Sequence, residues 1–278
     1  MSEALKIIHD PDKLTGLYVR IEGVGAPRYV SLASRDEIRQ DLVLRPDSDI
    51  FIVTYPKSGT TWTQNIVRHL LLCGADAPRF SDMALNQRVP YLDMLLFPAS
   101  QLEEYPEPRV FKSHNTPAEL DSMVLKGSTK PKIIYVVRDP RDQIVSFYNH
   151  YLAAIGHTTL ETFCAQFARH PEYAWGGLWE DHVDAWLSLS DKYDILVLRY
   201  EELKQNSRRE IRRVADFLGV SVTEEEVGHV ARKTTLTYMK KDPQVPRLKL
   251  QNTKCSFLAS FQSYYRLIAL HLKQISKF

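Results

Sequence analysis

The chain has 278 residues, 44% of them apolar, which is enough to bury a sizeable core. Lys plus Arg total 36 against 34 Asp plus Glu, so no global basic field argues for nucleic acid or a membrane surface, and any anion site must be local. Cys73, Cys164 and Cys255 are odd in number and widely spaced, which excludes a disulfide framework and a zinc motif. The first residues carry charges at Glu3, Lys6, Asp10 and Asp12, and no apolar run reaches membrane-spanning length, so the expectation is a soluble cytoplasmic protein. With no linker, repeat or low-complexity tract, residues 1–278 read as a single domain.

The first strong element is Ile50-Phe51-Ile52-Val53-Thr54, an apolar run that reads as a buried strand. Pro56 and Gly59 punctuate a turn, and Thr60 or Thr61 opens a helix over 60–73 carrying Trp62, Ile66, Val67 and Leu70 on one face. Unpaired amides at such a helix start, together with the positive end of its dipole, favour a phosphate or sulfate group. Lys57 adds a mobile charge, and Ser58, Thr60 and Thr61 add hydroxyl donors. The order differs from the usual nucleotide loop, because the lysine precedes the glycine and a second glycine is missing. Taken alone, Lys-Ser-Gly-Thr-Thr is equally compatible with an ordinary solvated turn.

Four prolines between residues 98 and 117 predict a surface loop around a short strand at 109–113, which ends in Lys112-Ser113-His114. A strand at 132–137 runs into Arg138-Asp139-Pro140, where Pro140 suits a first helical turn and Arg138 can fork around a phosphate or pair with Asp139 or Asp142. In the helix that follows, 141–154, Ile144, Val145, Tyr148, Tyr151 and Leu152 recur at core-facing spacing, and Trp175, Trp179 and Trp186 belong to the core as well. A helix at 177–189, a strand at 194–199 and a helix at 207–218 complete the alternation. Arg208, Arg209, Arg212 and Arg213 on the last helix read as a solvated face. The pattern is that of an α/β fold with a central parallel sheet flanked by helices, and Lys57, His114 and Arg138 should then share a cleft beyond the carboxyl ends of the strands.

The segment Thr54–Trp62 resembles the 5′-phosphosulfate loop of the cytosolic sulfotransferases, which use 3′-phosphoadenosine 5′-phosphosulfate as donor. Lys132–Ser146 resembles that family's 3′-phosphate segment, and Val110–His114 resembles the strand end bearing its catalytic lysine and histidine. The three blocks occur in the family's order, and the resemblance covers roughly residues 15–245. It implies a P-loop-like strand-loop-helix holding the donor through Lys57, Ser58, Gly59, Thr60, Thr61 and Trp62. Arg138 and Ser146 would bind the 3′-phosphate, with Tyr200, Thr234 and Leu236 completing the nucleotide site. It further implies His114 as general base, with Lys57 and Lys112 steadying the charge of the transferred and leaving groups. Tyr91, Met94 and His150, with Lys112 and His114, would face a small phenolic or hydrophobic acceptor. The product would be adenosine 3′,5′-bisphosphate, and no metal is implied.

The tail 246–278 departs from the family. Its members carry an Arg-Lys-Gly-x-x-Gly-x-Trp segment near the C-terminus that contacts the 3′-phosphate, whereas this chain has no glycine after Gly228. Loss of those charge-assisted bonds would weaken donor binding, so a weakly active or inactive nucleotide-binding homologue stays open as a second reading. A nucleoside-type kinase ranks third, since it would need Gly-Lys-Ser/Thr and a magnesium-binding acid. The acceptor's identity and the oligomeric state are not legible.

Overall fold

The computed structural model describes residues 42–45, 48–73, 85–94, 99–105, 107–121, 131–155, 159–161, 163–164, 177–189, 192–243 and 245. The expectations for Trp175, Cys255 and the tail 246–278 lie outside them, as do the side chains of Met94, Tyr151 and Leu152. Four strands, β1 (Ile50–Thr54), β2 (Val110–Ser113), β3 (Lys132–Val137) and β4 (Asp194–Arg199), form one sheet in the order β2-β1-β3-β4. Every neighbouring pair is parallel. Among the described residues the six longest α-helices are α1 (Thr60–Leu71), α2 (Pro140–Ile155), α3 (Trp179–Leu187), α4 (Tyr200–Gln205), α5 (Ser207–Leu218) and α6 (Glu224–Lys233).

Strand alternation sorts the core into two layers. Phe51, Val53, Phe111, Ile133, Tyr135 and Val137 face one side, where they pack with Ile144, Phe147 and Tyr148 of α2 and Trp179 and Trp186 of α3. Ile50, Ile52, Val110, Ile134, Val136 and Leu198 face the other, against Ile66, Val67 and Leu70 of α1, Ile211 and Val214 of α5, and Val227 and Val230 of α6. Both faces are covered, so β1 is buried along its whole length and its sequence shows no polar alternation. Ile144, Tyr148, Trp179 and Trp186 thus hold the core positions assigned to them, and Val145 packs against the same layer.

All four predicted strands and all four predicted helices form, with ends within two residues of expectation. The proline-rich stretch differs in character from a simple surface loop. A 3-10 segment at Ala99–Glu104 buries Leu102, and Arg109, just before β2, is fully enclosed. Its Nε and Nη2 donate to the two carboxylate oxygens of Asp49 at 2.7 and 2.6 Å, and further bonds reach Val43 O and Leu102 O. This fork ties the entrances of β1 and β2 together at the sheet end opposite the candidate site. Prolines hid it, because they signal the turn and not what the turn anchors.

The arginines of α5 do lie at the surface. Arg209 and Arg213 pair with Glu210, Arg209 also reaches Glu202, and Arg212 pairs with Glu224. Among the described residues, no helix is long and apolar enough to cross a membrane.

Candidate active site

Parallel register decides which residues meet. Val53 lies beside Ser113, Thr54 beside Val136, and Val137 beside Arg199. The residues that follow each strand, Tyr55 to Gly59, His114, Arg138 and Tyr200, therefore leave the sheet along one edge.

The β1–α1 loop has an uncommon backbone. Lys57 has φ 70°, Gly59 has φ 111°, and Gly59 occupies the N-cap of α1 without a side-chain cap. The first amide bond of the helix runs from Thr63 to Gly59 O, so the amides of residues 60–62 belong to the helix start that lacks intrahelical partners. A non-glycine residue in the left-handed region is a local cost that the surroundings must hold in place. Arg138 Nη1 donates to Lys57 O at 2.9 Å, and Gln143 Nε2 donates to Pro56 O at 2.7 Å. Tyr55 is tied down by its hydroxyl, which donates to Gly177 O at 3.1 Å.

Three buried polar atoms around this loop lack a hydrogen-bond partner: Ser58 Oγ, Trp62 Nε1 and Arg138 Nε. Buried donors are normally satisfied, so an oxygen-rich ligand is what this set fits. Tyr200 closes the opposite wall. Arg138 stacks on its ring at 4.3 Å, and Trp62 meets it edge-on with centroids 5.5 Å apart. Trp62 and Tyr200, expected near an adenine, form one aromatic corner.

His114 is held from four directions. Its amide donates to Asp93 Oδ2 at 2.6 Å, while Asp93 Oδ1 accepts from Ser113 Oγ at 2.6 Å. Its carbonyl accepts from His182 Nε2 at 3.2 Å, and Tyr91 packs edge-on against the imidazole at 5.3 Å. His114 Nδ1 lies 2.7 Å from Thr54 O; a carbonyl only accepts, so Nδ1 carries the proton and Nε2 is the basic nitrogen. Burial, then the neighbouring Lys112 charge, pushes the imidazole down to about 3, so it is neutral at physiological pH but less basic than an ordinary histidine.

The two lysines flank this histidine. Lys112 sits over the Tyr91 ring at 4.2 Å, and burial lowers it to about 8, with Asp93 opposing and Lys57 reinforcing the shift. Lys57 is also lowered, first by burial and then by Arg138. Its ammonium can only donate, so His150 Nδ1 accepts at 3.3 Å. His150, pushed to about 4 by burial and Lys57, is neutral and engaged with Lys57 of the β1–α1 loop, a contact that its expected place in the acceptor pocket did not suggest.

The structure thus brings together Lys57, Ser58, Gly59, Thr60, Trp62, Arg138 and Tyr200, and joins them through Lys57 and Thr54 to Lys112, His114, Tyr91 and His150. Thr61 is exposed on α1, and Ser146 is partly buried on α2. Thr234 is buried at the end of α6, with its hydroxyl donating to Val230 O, and Leu236 is 65% exposed. Met94 ends a 3-10 turn beside Asp93.

Asp93, Gln143 and His182 escaped sequence reasoning. Gln143 lies inside the Arg138–Ser146 block, so its position was available though its role was not. Asp93 and His182 carry no local signal. His182 looks like an isolated polar residue between core tryptophans, and only the fold shows it accepting from Tyr135 through Nδ1 and donating to His114 through Nε2.

A family model described as a sulfotransferase domain matches residues 47–266, about four fifths of the chain. The chain belongs to the sulfotransferase family. It is accordingly an enzyme of the sulfuryl-transfer class. Amine sulfotransferase of Oryctolagus cuniculus is 36% identical over 201 residues, 71% of this chain and 65% of that relative's length, so the chain spans slightly less than two thirds of it. Sulfotransferase 1A1 of Bos taurus is 32% identical over 246 residues, covering 86% and 80% of the two chains. The crystal structure of mouse sulfotransferase SULT7A1 complexed with PAP superposes with a TM-score of 0.65 at 22% identity, covering 84% of this sulfotransferase and 88% of that chain, which establishes the shared fold.

Gly59 offers a direct test of whether the β1–α1 loop holds a nucleotide. A Cβ there would stand 2.8 Å from Tyr200 Cδ2 and would also have to adopt φ 111°. Gly59→Ala should therefore displace the aromatic wall, costing about 1–3 kcal/mol and weakening adenosine 3′,5′-bisphosphate binding by about tenfold or more, read by calorimetry. Gly219, at φ 72° with open space around it, is the control: Gly219→Ala carries backbone strain alone and should leave nucleotide affinity unchanged. Equal affinity in the Gly59 variant would rule out this packing.

Proposed function

We propose that this sulfotransferase moves a sulfuryl group from 3′-phosphoadenosine 5′-phosphosulfate to a hydroxyl or amine of a small, phenolic or hydrophobic acceptor, with His114 as the general base. The single observation that carries the reading is the tautomer of His114: a carbonyl fixes its Nδ1 proton and leaves Nε2 basic, beside two lysines. When bound, the donor supplies the sulfuryl group and a phosphate leaving group.

Ser58, the α1 amides and Lys57 would hold its phosphosulfate end, and the orphaned donors of Ser58, Trp62 and Arg138 support that fit. Arg138 and Ser146 would take the 3′-phosphate, Trp62 and Tyr200 the base, and Thr234 and Leu236 the outer edge of the nucleotide. At the reacting end, His114 Nε2 takes the acceptor's proton. Lys112 and Lys57 offset negative charge on the transferred and departing oxygens. Two lysines and an arginine can supply this neutralisation, so the proposal includes no metal. Burial and Lys112 disfavour the protonated form of His114, and negative charge entering the cleft acts in the opposite direction.

Tyr91, next to both Lys112 and His114, supports an aromatic lining for the acceptor, with Met94 and His150 assigned to the same wall. The relative named for amine acceptors keeps an amine within the proposal beside a phenol.

The test is transfer of labelled sulfuryl group to a panel of phenols and amines. His114→Ala should lower turnover by about 100-fold or more while retaining adenosine 3′,5′-bisphosphate affinity within a few fold. Turnover at the wild-type rate would remove His114 as base. Wild-type protein that binds the nucleotide but transfers to no acceptor would favour the binding-protein reading.

Lys112 gives a pH signature. A lysine works here only when protonated, and its proton is lost as pH rises through about 8. Rate constants governed by the free enzyme, kcat/KM for the donor, should therefore fall above about pH 8, and Lys112→Arg should remove that limb because guanidinium stays charged. An unchanged limb in Lys112→Arg would assign it to another group.

A further inference from the structure

A second cationic cavity lies away from the donor loop. It has a volume of about 420 Å³ and is lined by Arg68, His69, Lys233, Tyr238, Lys241 and Asp242. Arg68 is eight residues along α1 from Thr60, about 12 Å of helix rise, and follows from the turn of α1 that faces the end of α6.

Arg68 is the informative wall. Its side chain is only 5% exposed, yet Nε and Nη1 have no hydrogen-bond partner. Asp242 stands 3.6 Å from Nη1, close enough for attraction and beyond a hydrogen bond. His69 Nε2, also lining the cavity, is likewise buried without a partner. Burying a guanidinium with unmet donors is costly unless an acceptor completes it. The surroundings add positive charge: Lys233 stacks on Tyr238 at 4.4 Å, and Lys241 lies on the rim. His69 stays neutral, held down to about 4 by burial and by Arg68, and the cations lining the cavity are Arg68, Lys233 and Lys241.

The cavity is also larger than an ion needs, since a water molecule's share of liquid volume is about 30 Å³. The Tyr238 ring, partly exposed, offers a flat surface next to the cations. We infer that this cavity is a second ligand site that takes a phosphate monoester, its phosphate on Arg68, Lys233 and Lys241 and its organic part against Tyr238. Arg68 supplies planar paired donors to a tetrahedral oxyanion, and the lysines supply point charges at the mouth. The site does not depend on the donor assignment, because it shares no residue with the β1–α1 loop.

The test follows the His69 ring resonances of the full chain while inorganic phosphate and, separately, phenyl phosphate are added. His69 should shift saturably, at several-fold lower concentration for phenyl phosphate than for the bare ion. Lys233→Ala and Lys241→Ala, at solvent-facing positions that spare the core, should each weaken binding by about tenfold, the loss of one charge-assisted contact. Lys57→Ala, which strips the donor loop of its cation, should leave the His69 response intact. Absence of a saturable shift, equal affinity in the two surface variants, equal affinity for the two probes, or loss of the response in Lys57→Ala would each overturn the inference.

Discussion

The site depends on parallel pairing of β1 with β3 and with β2. Parallel strands exit on one side, so their register brings four sequence-distant segments to the same edge without any of them contacting another through local structure. A slip of one residue would exchange the two core layers, sending Phe51 and Val53 to the α1 side and Ile52 to the α2 side. Both faces are packed, which makes that exchange costly and the register firm. The Asp49–Arg109 fork ties the opposite end of the same strands, adding a directional, fully buried clamp at the entrance of β1 and β2.

Upon that frame the cleft concentrates charge. Lys57, Lys112 and Arg138 sit partly buried near one another, and each lysine is lowered by burial and by another cation. This arrangement is unfavourable in isolation and becomes favourable when a polyanion enters. The same burial keeps His114 and His150 neutral, so the imidazoles act as acceptors among cations. The His114 amide donates to Asp93 and its carbonyl accepts from His182, which fixes its backbone, while the bond from Nδ1 to Thr54 O holds the ring.

Much of this was legible in the chain because the carriers of chemistry are contiguous with strand ends. Lys57, His114 and Arg138 follow strand-like runs, and alternation of strand and helix predicts their common edge. Gly59 was legible as a turn residue, though its contact with Tyr200 required the fold. What the sequence concealed is pairing across distance: Asp93 with Ser113 and His114, Gln143 with Pro56, His182 with Tyr135, and His150 with Lys57. A side chain's partner 20 to 93 positions away has no periodicity to betray it. Arg109 shows the converse problem, since a charged residue among prolines looks exposed until its carboxylate partner is found.

The central claim is that the edge of this sheet is a donor site built around a 3′-phosphorylated nucleotide. Calorimetric titration with adenosine 3′,5′-bisphosphate, set against adenosine 5′-monophosphate, tests it most directly. The account predicts that the bisphosphate binds more tightly by about 10- to 100-fold, the worth of charge-assisted bonds to one additional phosphate. Equal affinity for the two nucleotides, or no binding of either, would contradict it.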